Sequence, residues 1–173
     1  MKIVCGWCQC EIDPGTGEPG VSHGICEDCA AFFENNQGVG IREFINRVGA
    51  PVMILDQNIR VEAANLSAGS HAQLSLRDIE GLLVGDVMEC AHARSPGGCG
   101  KEAVCVMGCA LRRIILETFA TGKPLEDVEA KQQILTGQGP RDMKFWFSTA
   151  LVGDRVLLRI DRAQLVGAEG DSP

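Results

Sequence analysis

Residues 50–65 read APVMILDQNIRVEAAN. Pro51 opens a run that is apolar from Val52 to Leu55 and stops at Asp56, which reads as a buried strand over 51–56. Gln57-Asn58 is a turn pair. Residues 59–63, IRVEA, alternate apolar and polar side chains, as a half-buried strand does. Two strands joined by so short a turn pair antiparallel. Asn65 follows them in a position to cap a helix.

Downstream, residues 65–89 hold short helical pieces, with Ser75 as a second cap. Residues 90–108, with Pro96, Gly97, Gly98 and Gly100, read as a loop. A helix over about 109–121 carries Leu111, Ile114, Ile115 and Phe119 on one face and ends at Gly122 and Pro124. Strands are expected over 125–135, 141–150 and 153–161. In the second, Met143, Phe145 and Phe147 alternate with Lys144, Trp146 and Ser148. The Gln132-Gln133 pair on the first is expected to be solvated. Hairpins on both sides of a helical block imply an α+β fold, a five-stranded antiparallel sheet with helices on one face.

Upstream, residues 30–48 read as a helix interrupted by Gly38 and Gly40, with an apolar stripe at Ile41, Phe44, Ile45 and Val48. That stripe lies outside the expected sheet and needs cover, so a homodimer is expected. The first thirty residues are rich in Cys and Gly and too short to build a core without a staple. The domain reading is a four-cysteine metal-binding module (1–30), a linker helix (31–49), a sheet domain (50–162) and a polar tail (163–173).

The net charge of −7 argues against a nucleic-acid partner. The longest apolar run, Ala103 to Leu111, is far short of a membrane span, and no signal peptide is recognisable. A soluble, cytoplasmic protein is therefore expected. No P-loop or kinase signature is present, and His23, His71 and His92 form no catalytic pattern, so no enzymatic activity is expected.

There are nine cysteines, in two groups. Thiols stay reduced in the cytosol, where clustered cysteines point to metal rather than to disulfides. Cys5-x-x-Cys8 and Cys26-x-x-Cys29 are two knuckles seventeen residues apart, a spacing that suits a structural zinc with Cys5, Cys8, Cys26 and Cys29 as ligands. Cys10 is left over, readable as a small apolar residue, an alternative ligand or a redox-active thiol, and His23 is a further candidate ligand. The second group is Cys90, Cys99, Cys105 and Cys109. Four thiolates suit zinc or an iron–sulfur cluster, and buried thiols or a thiol–disulfide switch are the other readings. Cys109 stands at a helix N-terminus, where the dipole favours a thiolate, and Arg112 and Arg113 one turn on are placed to offset negative charge.

The stretch from Pro51 to Asp161 resembles a PAS domain, on the strand ending in Asp56, the turn at Asn58, the second strand, Asn65 and the closing VLLRIDR. ECAHARSPGGCGKEAVCVMGCALRR, residues 89–113, resembles the loop of a cysteine-rich subgroup of PAS domains in bacterial sensor proteins. The subgroup has two residues between its last two cysteines, and here there are three. The start, CGWCQCEID…SHGICEDC, resembles a short Cys-rich, zinc-ribbon-like module found beside PAS and response-regulator domains. The resemblance implies a signal-transduction sensor or adaptor relaying a redox, oxygen or metal signal. Only a dozen residues follow the last strand, so its partner is expected to be another chain, a histidine kinase or response regulator. The competing readings are a structural interaction module with two passive zincs and a thiol-redox protein.

Overall fold

The computed structural model describes residues 1–15, 17, 20–35 and 40–167. It divides into two units, Met1–Gly49 and Ala50–Pro173.

In the first unit, strand β1 (Lys2–Cys5) lies between β2 (Glu11–Asp13), antiparallel to it, and β3 (Val21–Gly24), parallel to it. Strands of three or four residues are too short to show an alternation, which is why the sequence did not announce them. Two helices follow. α1 (Glu27–Asn35) opens with Glu27 and Asp28 at its positive end, and α2 is Ile41–Arg47. They lie on either side of the interruption expected at Gly38 and Gly40, the first starting earlier than the expected residue 30, and residues 36–39 lie outside the described residues. Phe32 of α1 stacks on Phe44 of α2 with ring centroids 3.8 Å apart. Phe44, Ile45 and Val48 are buried within the chain itself, so the stripe that suggested a homodimer is not an exposed face.

The second unit is an α+β domain with a five-stranded, wholly antiparallel sheet in the order β5-β4-β8-β7-β6. β4 (Val52–Leu55) and β5 (Val61–Ala64) form the first hairpin. Its turn is held by Asp56, whose Oδ1 accepts the N–H groups of Asn58 and Arg60 at 2.9 and 2.8 Å. β5 begins later than expected because Ile59 takes a left-handed φ of 63°. That conformation is costly for a β-branched residue. Asn65 is buried and caps α3 (Leu66–Ala72) by accepting the Ala68 N–H at 2.9 Å. It also accepts from Val52 N–H and donates to the Ala50 carbonyl, tying the hairpin to the helix. Ser75 caps α4 (Leu76–Ile79), and α5 (Val84–Val87) follows.

Residues 90–108, expected as a loop, contain a 3₁₀ turn (Ala91–Arg94) and a short helix α6 (Ala103–Gly108). α7 (Ala110–Thr121) ends at Gly122, whose φ of 68° closes the helix. Its Leu111, Ile114 and Ile115 are fully buried with Phe145, Phe147, Val156, Leu158 and Ile160 of the sheet's inner face. Each such aliphatic contributes roughly 1.5–3 kcal/mol by burial. Thr118 Oγ1 meets Thr149 Oγ1 at 2.6 Å in this core. β6 is Leu125–Thr136, β7 is Gly139–Val152 and β8 is Arg155–Leu165. β8 runs into the stretch expected as tail, and the rest of that tail, 168–173, lies outside the described residues. No helix among the described residues is long and apolar enough to cross a membrane.

Candidate functional site

The N-terminal cysteines gather where β1 ends and α1 begins. Cys5 closes β1, and the chain turns at Cys8 so that the N–H groups of Trp7 and Cys8 point back at the Cys5 sulfur. Burial pulls the Cys5 thiol upward. The N–H groups of Cys8, Cys26 and Trp7 outweigh it and bring the thiol down to about 6. The second knuckle repeats the device, with Cys29 N–H donating to Cys26 Sγ at 3.5 Å. The sulfurs of Cys5, Cys8, Cys10 and Cys26 all lie within 4.8 Å of one another, and those of Cys8 and Cys26 are 3.6 Å apart. A disulfide would hold two sulfurs near 2.05 Å, whereas the edge of a tetrahedron with metal–sulfur bonds of about 2.3 Å is about 3.8 Å.

The donor set therefore fits a tetrahedral thiolate ion. The four in mutual reach include Cys10, which spacing had left over. Cys29, expected as the fourth ligand, is buried against Cys26 and Cys5 as a fifth sulfur. Crowding shows in the acidities. Cys8 beside it pushes the exposed Cys10 thiol up to about 12, and burial followed by Cys26 and Cys5 raises Cys29. Sulfurs packed this closely cannot all ionise unless a cation joins them. The His23 side chain lies outside the described residues.

The second group lines one cavity of about 30 Å³ in the sheet domain, bounded by Ile59, Gly85, Cys90, Cys99, Cys105, Cys109, Arg112 and Gln132 among others. The four thiols reach it from four places. Cys90 precedes the 3₁₀ turn, Cys99 sits in the loop, Cys105 lies in α6, and Cys109 caps α7 by accepting the Arg112 N–H at 3.4 Å. Backbone donors aim at two more of the sulfurs. His92 and Ala93 N–H groups face Cys90, and Gly85 N–H faces Cys99. Burial nevertheless pushes the Cys90 and Cys99 thiols up, the N–H groups offsetting it in part. Cys99 comes so close to α5 that a Cβ on Gly85 would stand 2.4 Å from its sulfur, so glycine is required there.

This donor set is right in kind and number for a thiolate centre, but its geometry is not closed. Among the described residues no three of these sulfurs come within the 4.8 Å that the N-terminal group meets. A single tetrahedral ion would have to draw them inward. A cluster, with each thiolate on its own iron, would need the 30 Å³ cavity to open. Arg112 lines the cavity, its guanidinium lying over Gly100. Arg113 is exposed and borders an outer groove with Val106, Met107 and Leu116 instead.

Gln132, expected in solvent, is buried on β6 and faces this cavity, and its Oε1 has no hydrogen-bond partner among the described residues. Gln133 beside it is exposed and donates to Asp142. β6 is anchored to the cysteine segment as well. Leu135 N–H donates to the Glu89 carbonyl at 2.8 Å, and Cys90 bridges Ile134. Residues at positive φ border the segment too, Ile59 at the cavity and Glu89 just before Cys90. Backbone strain of this kind persists where the surroundings enforce it.

No protein-family model matches the chain, and no curated protein is significantly similar to it. Solved structures similar to it include the following three. The LOV protein of Rhodobacter sphaeroides shares 17% identity over 76% of this chain and 68% of that one, with a TM-score of 0.47. A domain of the sensory box sensor histidine kinase/response regulator from Geobacter sulfurreducens shares 16% over 70% and 90%, with a TM-score of 0.46. The photoactive yellow protein domain from the sensor histidine kinase Ppr of Rhodospirillum centenum shares 13% over 72% and 95%, with a TM-score of 0.45. The fold assigned to the second unit, a PAS-like antiparallel sheet with helices on one face, rests on the strand order and layers described above.

Proposed function

We propose that this chain is a non-enzymatic signal-transduction protein whose PAS-like domain senses redox state, oxygen or metal through Cys90, Cys99, Cys105 and Cys109. The observation that carries the reading is the amide oxygen of Gln132, buried without a partner among the described residues and facing a cavity that four thiols also line. Leaving a buried acceptor unsatisfied costs about 1–3 kcal/mol. An acceptor left over in a cavity lined by titratable side chains supports a site that takes an occupant.

The open geometry supports sensing over passive scaffolding. Loading a soft metal or a cluster changes the spacing of sulfurs that sit on the 3₁₀ turn, α6 and the cap of α7. α7 packs on the sheet, so a shift at Cys109 reaches the strands and any partner on them. A bound metal or cluster supplies the redox or ligand-binding chemistry. The chain supplies four thiolates, backbone N–H groups that steady them, and the Arg112 charge. The N-terminal thiols hold zinc and staple a unit too small to fold on packing alone. Output passes to a second protein of the histidine kinase or response-regulator type.

Elemental analysis and absorbance of anaerobically purified protein test the assignment. The sensor reading expects zinc at one site, with iron and sulfide or another redox-active metal at the quartet, and a visible absorbance that changes in air. Colourless protein holding two zincs that stay bound through oxidation and reduction overturns it in favour of a passive interaction module.

A further inference from the structure

Five sulfurs share the N-terminal site, and a tetrahedral ion takes four. Cys5, Cys8 and Cys26 are common to both possible quartets. Cys10 joins them in the group within 4.8 Å, while Cys29 touches Cys26 and Cys5 from the buried side. Three features of the backbone hold Cys10 in place. Gln9 adopts a left-handed φ of 61°, which turns the chain back after Cys8, and Cys5 N–H donates to the Cys10 carbonyl at 2.8 Å. Cys10 N–H also faces the Cys8 sulfur. Cys29 is held equally well, as the third residue of α1 with its N–H on Cys26 Sγ. The two claimants differ in access, since Cys10 is exposed and Cys29 is 1% exposed.

We propose that the N-terminal site is an exchangeable thiolate site for a soft divalent cation such as Zn²⁺, with Cys5, Cys8 and Cys26 as constant ligands and Cys10 and Cys29 alternating as the fourth. The inference rests on the reading of this unit as a metal site. Exchange breaks one metal–sulfur bond and forms another. The entering thiol releases its proton to water and the leaving thiolate takes one up, so no electrons move and the charge of the centre is unchanged. A closed four-thiolate site must lose a ligand before it can release its ion. Here the fifth sulfur stands ready, so release through the exposed Cys10 form is fast and release through the buried Cys29 form is slow. The site is thereby suited to passing its cation to an incoming thiol-bearing acceptor and taking it back.

Cobalt substitution of the full chain tests this, because Co²⁺ bound by four thiolates has intense, characteristic charge-transfer and ligand-field bands. Residues 90, 99, 105 and 109 are changed to serine throughout so that only the N-terminal site reports. Cys10→Ser and Cys29→Ser are each expected to keep one Co²⁺ per chain with the four-thiolate spectrum, and the double variant to lose that spectrum. Extraction of Zn²⁺ by a chelator should slow in Cys10→Ser and quicken in Cys29→Ser, each by roughly tenfold, the scale on which one supporting contact shifts metal binding. The proposal is overturned if Cys10→Ser matches the parent in spectrum and rate while Cys29→Ser alone loses the four-thiolate bands. A parent protein that binds no Co²⁺ is a different result, which removes the metal site itself and the exchange with it.

Discussion

Gln132 is the side chain on which the proposed sensing site most depends. It occupies an inward position of β6, in register with Val128, Ala130 and Ile134 on the same face, and an apolar side chain would satisfy that position better. Gln132→Leu should therefore leave the metal-free protein as stable as the parent or raise its melting temperature, because a lone buried acceptor disappears. The same change should weaken retention of the quartet's occupant. Thermal melting and metal content, measured on the same preparations, check both halves. The residue was legible in the sequence, since alternation from Ala130 places Gln132 inward and Gln133 outward. The polarity of the pair concealed it. Gly85 and Ile59 were not legible, because a close approach to Cys99 and a positive φ are properties of the folded backbone.

Helix α7 is the element that joins the site to the sheet. Its first turn is capped by Cys109, and its buried face ends at the Thr118–Thr149 hydroxyl pair. Thr118→Val keeps the shape and removes one partner, leaving Thr149 Oγ1 to find another in the core. A loss of about 1–3 kcal/mol in urea unfolding is expected, with the quartet's metal content unchanged because the pair lies at the far end of the helix from Cys109. Elements marked by apolar runs, capping residues or turn residues were read well from sequence. The β4–β5 hairpin, the caps at Asn65 and Ser75, α7 and the three closing strands lie near their expected places. α6 was missed for a physical reason. Residues 103–108 follow the glycine-rich stretch 97–100 and end in Gly108. Only Cys105 among them is buried, so no apolar stripe marks the helix, and Val104, Val106 and Met107 face outward. At the N-terminus the cysteines were legible as a group, but that Cys10 joins Cys5, Cys8 and Cys26 within 4.8 Å was not, since it comes in through the left-handed turn at Gln9.

At the scale of the molecule, two units with different sources of stability stand in one chain. The sheet domain has a contiguous apolar core, whereas the first unit leans on its sulfur cluster. Stripping metal with a strong chelator under reducing conditions should therefore unfold residues 1–49 and leave the sheet domain's own transition in place. Trp7, buried in the first unit, reports on it by fluorescence once Trp146 is replaced by Phe.

Hydrogen exchange on anaerobically reduced and on oxidised protein asks the central question directly, namely whether the cysteine cavity is a sensing site. A sensor predicts altered protection confined to residues 90–121 and to β6 around Gln132, with the global stability of the sheet domain unchanged. Identical protection in both states, with metal still bound in each, would contradict the account.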